Sequence, residues 1–180
     1  MRVITGSARG VQLKTPEGLT TRPTTDRVKE AMFSIIHFEL PGADVLDLFG
    51  GTGQLGIEAI SRGAKSAVFV DAGEPACRLI RENLKRAKME QQGKVVRSDY
   101  LDYLRRSREK FDIILLDPPY AEVFLENALK CITEIDILRQ NGIIVAERPM
   151  GKELPWEFEG FERSKDYKYG KTLLTIYRKL

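Results

Sequence analysis

The sequence has little of what a disulfide-rich, metal-binding or membrane-spanning protein needs. It contains one histidine, His37, and two cysteines, Cys77 and Cys131, which lie far apart along the chain. We therefore expect no metal site and no disulfide, but two buried thiols that act as small hydrophobic side chains. No apolar run approaches the roughly 20 residues of a membrane span. The first residues, MRVITGSARG, lack the apolar stretch of a signal peptide, so we expect a cytoplasmic protein.

What the chain does contain fits one globular domain over residues 1–180. Apolar side chains make up 42% and charged side chains 31% of its 180 residues, enough for a sizeable core. The net charge is only +3 but is unevenly distributed: residues 1–29 carry six bases against two acids, and residues 111–160 carry ten acids against four bases. Such a distribution is a weak indication of a polyanionic partner.

From Asp44 onward, short apolar runs alternate with helical patterns. The runs are continuous rather than alternating, which is typical of strands buried on both faces. The pattern predicts an α/β fold with a mostly parallel sheet between two layers of helices. The predicted strands are Asp44–Phe49, Ala67–Val70, Val95–Val96, Ile113–Leu116 and Ile143–Ala146, and the predicted helices are Leu55–Ser61, Pro75–Ala87, Leu101–Ser107 and Phe124 to about Leu138.

Two further segments flank this alternating core, which we place at residues 41–180. The tail from Phe161 predicts two antiparallel strands at the sheet edge, with a turn at Gly170. The head, residues 1–40, predicts a small hairpin with turn glycines, followed by an amphipathic helix capped by Thr24 or Thr25.

The first predicted strand runs into the glycine-rich stretch DLFGGTGQLG. Gly51, Gly53 and Gly56 fit the spacing G-x-G-x-x-G, which lets a ligand approach the backbone closely. Asp71 ends the next strand, where an acid can accept hydrogen bonds from a ribose. Strand, loop, helix and acid together favour a nucleotide-containing cofactor over a tight turn that binds nothing.

The acids that follow the strands discriminate between two such cofactors. A nicotinamide dinucleotide fits the glycine spacing, but Asp47 would repel its pyrophosphate. S-adenosylmethionine offers an α-amino group for Asp47, a ribose for Asp71 and an adenine amine for Asp99. Because acids crowded at one sheet edge favour a cationic, donor-rich ligand, we predict S-adenosylmethionine. The predicted cofactor-binding residues are Asp47, Phe49, Gly51, Gly53, Asp71 and Asp99.

The fourth strand ends in the stretch DIILLDPPY, which predicts chemistry on an amine. The Asp117 carboxylate and the Pro118 carbonyl can accept hydrogen bonds from an exocyclic purine amine, whose lone pair is otherwise delocalised into the ring. Pro118 and Pro119 have no N–H, so they present acceptors without competing donors. Tyr120 can stack on the base. A strand-ending turn with a packed tyrosine is the alternative, but the preceding aspartate favours a catalytic corner that acts by positioning and electrostatics.

Three stretches, DLFGGTGQLGIEAISRGA, LDPPY and RPTTDRVKEAMFSI, together resemble the RsmD family over nearly the whole chain. That family comprises bacterial methyltransferases that act on the N2 amine of a guanine in small-subunit (16S) ribosomal RNA. The resemblance implies a Rossmann-like class I methyltransferase fold, S-adenosylmethionine as methyl donor, and a catalytic corner of Asp117, Pro118, Pro119 and Tyr120. Gly50, Thr52 and Asp71 depart from the family, which more often has alanine, serine and glutamate there.

The head is the part expected to face RNA, with Arg22, Thr24 and Arg27 as the predicted RNA-binding residues. The implied partner is small-subunit ribosomal RNA within an assembling 30S subunit, bound by a monomer.

A DNA adenine-N6 methyltransferase shares the Asp-Pro-Pro-Tyr corner but would need a DNA-recognition domain, and a protein-glutamine methyltransferase more often has asparagine at the position of Asp117. A non-catalytic RNA-binding assembly factor is a further alternative, although it predicts a damaged cofactor site, whereas the acids and glycines are all present.

Overall fold

The computed structural model describes residues 1–18, 25–119, 122–151, 153–154 and 157–180. The strands are β1 (Asp44–Asp47), β2 (Ser66–Asp71), β3 (Gly93–Arg97), β4 (Phe111–Leu116), β5 (Leu138–Pro149), β6 (Phe161–Arg163), β7 (Tyr167–Tyr169) and β8 (Thr172–Lys179). Over the described residues they form one sheet in the order β3-β2-β1-β4-β5-β8-β6, with β7 also paired to β8. β1 to β5 are mutually parallel, whereas β8 is antiparallel to its neighbours.

Helices cover both faces of this sheet, as the continuous apolar strands predict. The helices are α1 (Asp26–Ile35), α2 (Gln54–Ser61), α3 (Glu74–Arg86), α4 (Tyr100–Arg106) and α5 (Glu122–Glu134), with a 3₁₀ turn at His37–Glu39. Side chains from α1, α2 and α3 pack on one face, and those from α4 and α5 pack on the other. Successive strand residues alternate between the two cores, so Val45 joins the first and Leu46 the second.

Local signals place several helix ends where the sequence predicts them. Thr25, one of the two predicted caps, accepts a hydrogen bond from the N–H of Val28 at the start of α1. Gly63 follows the end of α2 with φ of 108°, a conformation that glycine adopts without a Cβ penalty. Both cysteines are free and buried, and burial raises the pKa of each thiol.

Two boundaries differ from the sequence prediction. α5 ends at Glu134, because β5 already begins at Leu138, which pairs with Phe111. The tail forms three strands rather than two, since the short strands β6 and β7 both pair with the long β8. The predicted turn at Gly170, with φ of 60°, connects β7 to β8. None of the helices in the described part of the chain is long and apolar enough to cross a bilayer.

Candidate cofactor and catalytic site

A cleft of about 1520 Å³ opens along the carboxyl ends of the parallel strands. Open α/β sheets bind ligands at this edge. The volume exceeds the roughly 300–1,000 Å³ of an ordinary small-molecule pocket, so the cleft has room for a cofactor and part of a second ligand. Among the residues predicted to bind a cofactor or to act in catalysis, those that line it are Asp47, Phe49, Gly51, Asp71, Asp99, Asp117, Pro118 and Pro119.

The strand order arranges the acids along this edge in a sequence that differs from their order in the chain. Asp99 follows β3, Asp71 ends β2, Asp47 ends β1 and Asp117 follows β4. Because the sheet runs β3-β2-β1-β4, the acids succeed one another as Asp99, Asp71, Asp47 and Asp117. Glu147 extends the row on β5 and also lines the cleft, a position that the sequence analysis missed.

Asp47 is buried with an incomplete set of hydrogen bonds. Its side chain is 1% exposed, and Oδ2 accepts the N–H of Gly56 at 3.1 Å. Oδ1 has no hydrogen-bond partner within the described residues. Burial raises the pKa of this carboxyl to about 8, against the Gly56 bond, and the charges of Asp117 and Asp71 add to the rise. A buried acceptor of this kind is costly unless a ligand supplies a donor.

Gln54, the first residue of α2, is a second buried acceptor in the cleft. It is 8% exposed, and its Oε1 likewise lacks a partner among the residues described. Asp47 receives the N–H of Gly56 from the same helical turn, so both incomplete acceptors lie at the start of α2. An α-ammonium group has three N–H donors, which fits this pair. No motif marks Gln54, so its place in the cleft is not predictable from the sequence.

The glycine loop holds Asp71 in place through the backbone. Gly51 donates its N–H to Oδ2 at 3.0 Å, and Gly73 donates to Oδ1 at 2.9 Å. Each carboxylate oxygen has a further lone pair, so Asp71 can still accept from ribose hydroxyls.

Gly53, which does not line the cleft, caps α2 with φ of 81°. At Gly56 a Cβ would lie 2.3 Å from the Phe69 ring, so glycine is required for α2 to pack on β2.

Asp99 also has a structural role that the sequence analysis did not anticipate. It is the N-cap of α4, and its Oδ1 accepts the N–H groups of Leu101 and Asp102 at 2.9 and 3.1 Å. Helix capping therefore accounts in part for an aspartate at this position. Both bonds use Oδ1, and the exposed residue lines the cleft, so contact with an adenine amine is compatible with capping.

An aromatic cluster forms an apolar wall next to these acids. The ring centroids of Phe49 and Tyr100 are 5.1 Å apart, and Phe124 lies 5.4 Å from Tyr100 and 6.3 Å from Phe49. All three line the cleft with their ring planes inclined to one another by 41°, 60° and 80°, and so offer an apolar wall against which a ring can pack. Of the three, only Phe49 is expected from the sequence, since Tyr100 and Phe124 come from α4 and α5 and share no motif with it.

The predicted catalytic corner is described in part. Asp117 and Pro118 are half-buried and Pro119 is exposed, and all three leave β4 directly into the cleft. Tyr120 lies outside the described residues, as do Arg22 and Thr24 of the predicted RNA-binding set. Arg27 is exposed on α1, and two of its neighbours, the N-cap Thr25 and Val28, line the cleft.

The acids at the opposite edge of the sheet have a different environment. Asp44 and Asp112 lie at the amino ends of β1 and β4, and Arg139 contacts them at 2.9 and 2.6 Å. Hydrogen bonds from Ser66 and Arg139 hold the pKa of Asp44 below its usual value, although burial opposes this. Within the described ranges, no ion pair joins Asp47, Asp71 or Asp99 to a base. The acids at the amino edge are thus paired with a base, whereas these three have no such partner in the described part of the chain and can receive a cationic or donor-rich ligand.

Comparisons with known proteins identify relatives of this chain. A family model described as conserved hypothetical protein 95 matches residues 1–178. The chain is 41% identical to YlbH of Bacillus subtilis, provisionally named an rRNA methyltransferase, over 99% of both chains. It is 33% identical to ribosomal RNA small subunit methyltransferase D of Haemophilus influenzae, over 86% of this chain and 81% of the other.

Solved structures agree on the fold. A protein from Escherichia coli, provisionally described as the methyltransferase yhhF, superposes with a TM-score of 0.90 at 27% identity, covering 99% of this chain and 97% of the other. The fold is therefore the Rossmann-like class I methyltransferase fold that the sequence predicts.

Proposed function

The chain belongs to the conserved hypothetical protein 95 family of RsmD-type rRNA methyltransferases, and we propose that it methylates the N2 amine of a guanine in small-subunit (16S) ribosomal RNA, with S-adenosylmethionine as donor. The observation that carries the proposal is the order of acids along the cleft. Asp99, Asp71 and Asp47 follow one another as an adenine amine, a ribose and an α-ammonium group do along the cofactor. Asp117 follows on the strand next to that of Asp47, and we place the acceptor amine there, beside the amino-acid end of the cofactor and its sulfur.

The cofactor, when bound, supplies a methyl group on a positively charged sulfur. Asp47 Oδ1 and Gln54 Oε1 would accept hydrogen bonds from its α-ammonium group, which supplies the donors that these buried atoms lack. Asp71 would accept from the ribose hydroxyls and Asp99 from the adenine amine. The rings of Phe49, Tyr100 and Phe124 would cover the adenine, a stacking arrangement that aromatic side chains favour.

The corner after β4 would prepare the amine for attack. The carboxylate of Asp117 and the carbonyl of Pro118 accept its two N–H groups, which draws the nitrogen toward tetrahedral geometry and stabilises the positive charge that develops on it. The bound cofactor would supply the methyl group to this nitrogen, and the proton that the nitrogen loses would pass to the Asp117 carboxylate or to water. Tyr120 would stack on the guanine. Positioning in line with the methyl group supplies most of the acceleration.

The relatives support ribosomal RNA as the substrate. Two of them, from Haemophilus influenzae and Escherichia coli, are named small-subunit rRNA methyltransferases at 33% and 31% identity. Residues 1–180 would act as one methyltransferase domain and as a cytoplasmic monomer on an assembling 30S subunit. Residues 1–40 would face the RNA, with Arg22, Thr24 and Arg27 as contacts.

Replacement of Asp117 tests the assigned chemistry. We expect Asp117→Ala to lower the rate of methyl transfer at least about 100-fold, the usual effect of removing an electrostatic catalyst, while S-adenosylhomocysteine binds with nearly unchanged affinity. The rate is measured with labelled cofactor and 30S particles from cells that lack the enzyme, and affinity is measured by calorimetry. Asp112→Ala, at the other end of β4, is the matched control and should retain the transfer rate. Transfer by Asp117→Ala at the wild-type rate would show that the assigned role is wrong.

A further inference from the structure

The side chain of Asn83, on α3, connects three separate parts of the chain. It is fully buried, and its Oδ1 accepts the N–H of Lys14 at 2.7 Å. Its Nδ2 donates both to the carbonyl of Lys14 at 3.0 Å and to the carbonyl of Thr52 at 2.8 Å. The amide thus uses both donors and its acceptor on main-chain groups of the N-terminal segment, here residues 1–18, and of the glycine loop.

Thr52 is the point at which the glycine loop is held. It lies between Gly51 and Gly53, which adopt φ angles of 56° and 81°. Because glycine has no Cβ, the loop has little intrinsic conformational preference. Its hydroxyl donates to Met1 Sδ at 3.4 Å, a second contact with the N-terminal segment. On the other side of Thr52, the N–H of Gly51 binds Asp71. The position of the cofactor acid is therefore connected, through one short loop, to the docked N-terminal segment.

The N-terminal segment also forms part of the cleft itself. Met1, Thr15 and Pro16 line it together with Thr52 and Asp71. Because Pro16 follows Lys14 by two residues, the bonds from Asn83 to the Lys14 backbone fix this part of the wall. Loss of these bonds would release both the wall and the loop.

We infer that Asn83 is a positioning residue that fastens the N-terminal segment to the glycine loop, so that cofactor affinity depends on this connection between Lys14 and Thr52. This depends on cofactor use alone and not on which RNA atom is methylated. A purely structural polar group would stabilise the fold without a specific effect on the cofactor.

A second set of buried contacts docks the same segment without touching the loop, and it supplies the control. Ser61 Oγ, on α2, accepts the N–H of Ala8 at 3.0 Å and donates to the carbonyl of Thr5 at 2.6 Å. Ser61→Ala therefore weakens the docking of the segment but leaves the contacts among Asn83, Lys14 and Thr52 in place.

Calorimetric titration with S-adenosylhomocysteine tests the inference. For Asn83→Ala we expect Kd to rise at least about tenfold, because the carbonyl of the half-buried Thr52 loses its donor and the loop its anchor. For Ser61→Ala we expect Kd within about twofold of the wild type, the effect of a contact remote from the loop. Circular dichroism and thermal denaturation under the titration conditions check that each variant is fully folded, because a reversibly unfolded fraction would itself raise the apparent Kd. An unchanged Kd in Asn83→Ala, or an equal rise in Ser61→Ala, would overturn the inference.

A pair of variants at the exposed Lys14 covers the case in which Asn83→Ala does not fold. Lys14→Ala and Lys14→Pro both remove the side chain and its ion pair with Glu82, but only proline removes the N–H that Asn83 accepts. We expect Lys14→Pro to raise Kd several-fold above Lys14→Ala. Equal Kd values for the two variants would contradict the positioning role.

Discussion

Asp47 has a buried oxygen without a hydrogen-bond partner among the described residues, and its burial lowers the stability of the protein without a ligand. Its raised pKa, caused first by burial, means that the folded protein holds a proton between about pH 4 and pH 8 that the unfolded chain releases. The stability of the cofactor-free protein therefore falls as pH rises through this window, and Asp47 causes no further change above pH 8. Residues whose pKa is shifted in this way, at a cost to the stability of the fold, are often found at functional sites.

We expect Asp47→Asn to remove this pH dependence. The variant should be more stable than the wild type by on the order of 1–3 kcal/mol at pH 7, and the gain should shrink toward pH 5. Thermal denaturation without cofactor, at pH 5, 6 and 7, measures the difference. Calorimetry of the same variant should show weakened binding of S-adenosylmethionine. A stability difference that does not change with pH would contradict the account of Asp47.

Gln54 is expected to recognise only the amino-acid end of the cofactor. We predict that Gln54→Ala raises the Kd of S-adenosylhomocysteine roughly tenfold, as expected for the loss of a hydrogen bond to a charged group. The Kd of 5′-methylthioadenosine, which lacks the amino acid, should not change. Gln54→Glu keeps an acceptor and serves as the matched control, with binding of both ligands retained. An equal loss for both ligands in Gln54→Ala would place the effect elsewhere in the cleft.

At the scale of the elements, a buried ion pair connects α1 to α2 behind the glycine loop. Lys29 and Glu58 are both fully buried, with Nζ and Oε2 3.6 Å apart. Glu58 also accepts the N–H groups of Ile4 and Thr5, and Lys29 donates to the carbonyl of Arg2. Burial lowers the pKa of Lys29, while attraction to Glu58 opposes the change. The pair therefore joins both helices to the N-terminal segment.

Removal of one partner leaves the other charge buried without a counter-charge. We therefore expect Glu58→Gln to cost about 3 kcal/mol of stability. The double variant Glu58→Gln with Lys29→Met should recover part of this loss, since the Lys29 charge is removed, and only part, because Arg62, which also pairs with Glu58 at 2.9 Å, keeps its charge. Urea denaturation of the two single variants and the double variant gives the coupling energy. Strictly additive losses would show that the pair does not act as a unit.

The elements with strong local patterns were predictable from the sequence, and those defined by pairing were not. The core strands and α2 to α4 follow continuous apolar runs, helix caps and glycines, so their predicted positions agree within a few residues. The start of β5 contains Arg139, Gln140 and Asn141, a polar run that hides a strand defined by long-range contacts, among them the pairing of Leu138 with Phe111. β6 and β7 likewise depend on the long β8 rather than on their own composition.

The same distinction holds for the site. Asp47, Asp71, Asp99 and Asp117 were predictable because each follows an apolar strand. Gln54, Tyr100 and Phe124 were not, because their roles depend on burial and on neighbours from other elements. Asn83 is a further case, since its partners lie at Lys14 and Thr52. Long-range contacts of this kind leave no periodic signal in the chain.

At the scale of the whole molecule, the sheet separates two kinds of acid. Its amino edge contains Asp44 and Asp112 neutralised by Arg139, and its carboxyl edge contains the row of acids that opens on the cleft. The N-terminal segment and α1 form one wall of that cleft, so the part proposed to face RNA is also part of the cofactor site. Cofactor and RNA would then meet at the end of β4.

The identity of the methylated atom tests this account most directly. Small subunits from cells that lack the enzyme are incubated with the protein and labelled S-adenosylmethionine, and the RNA is digested to nucleosides for mass spectrometry. The account predicts label in N2-methylguanosine, and none when Asp117→Ala replaces the wild type. Label in an adenine, or no label from a protein that binds the cofactor, would contradict it.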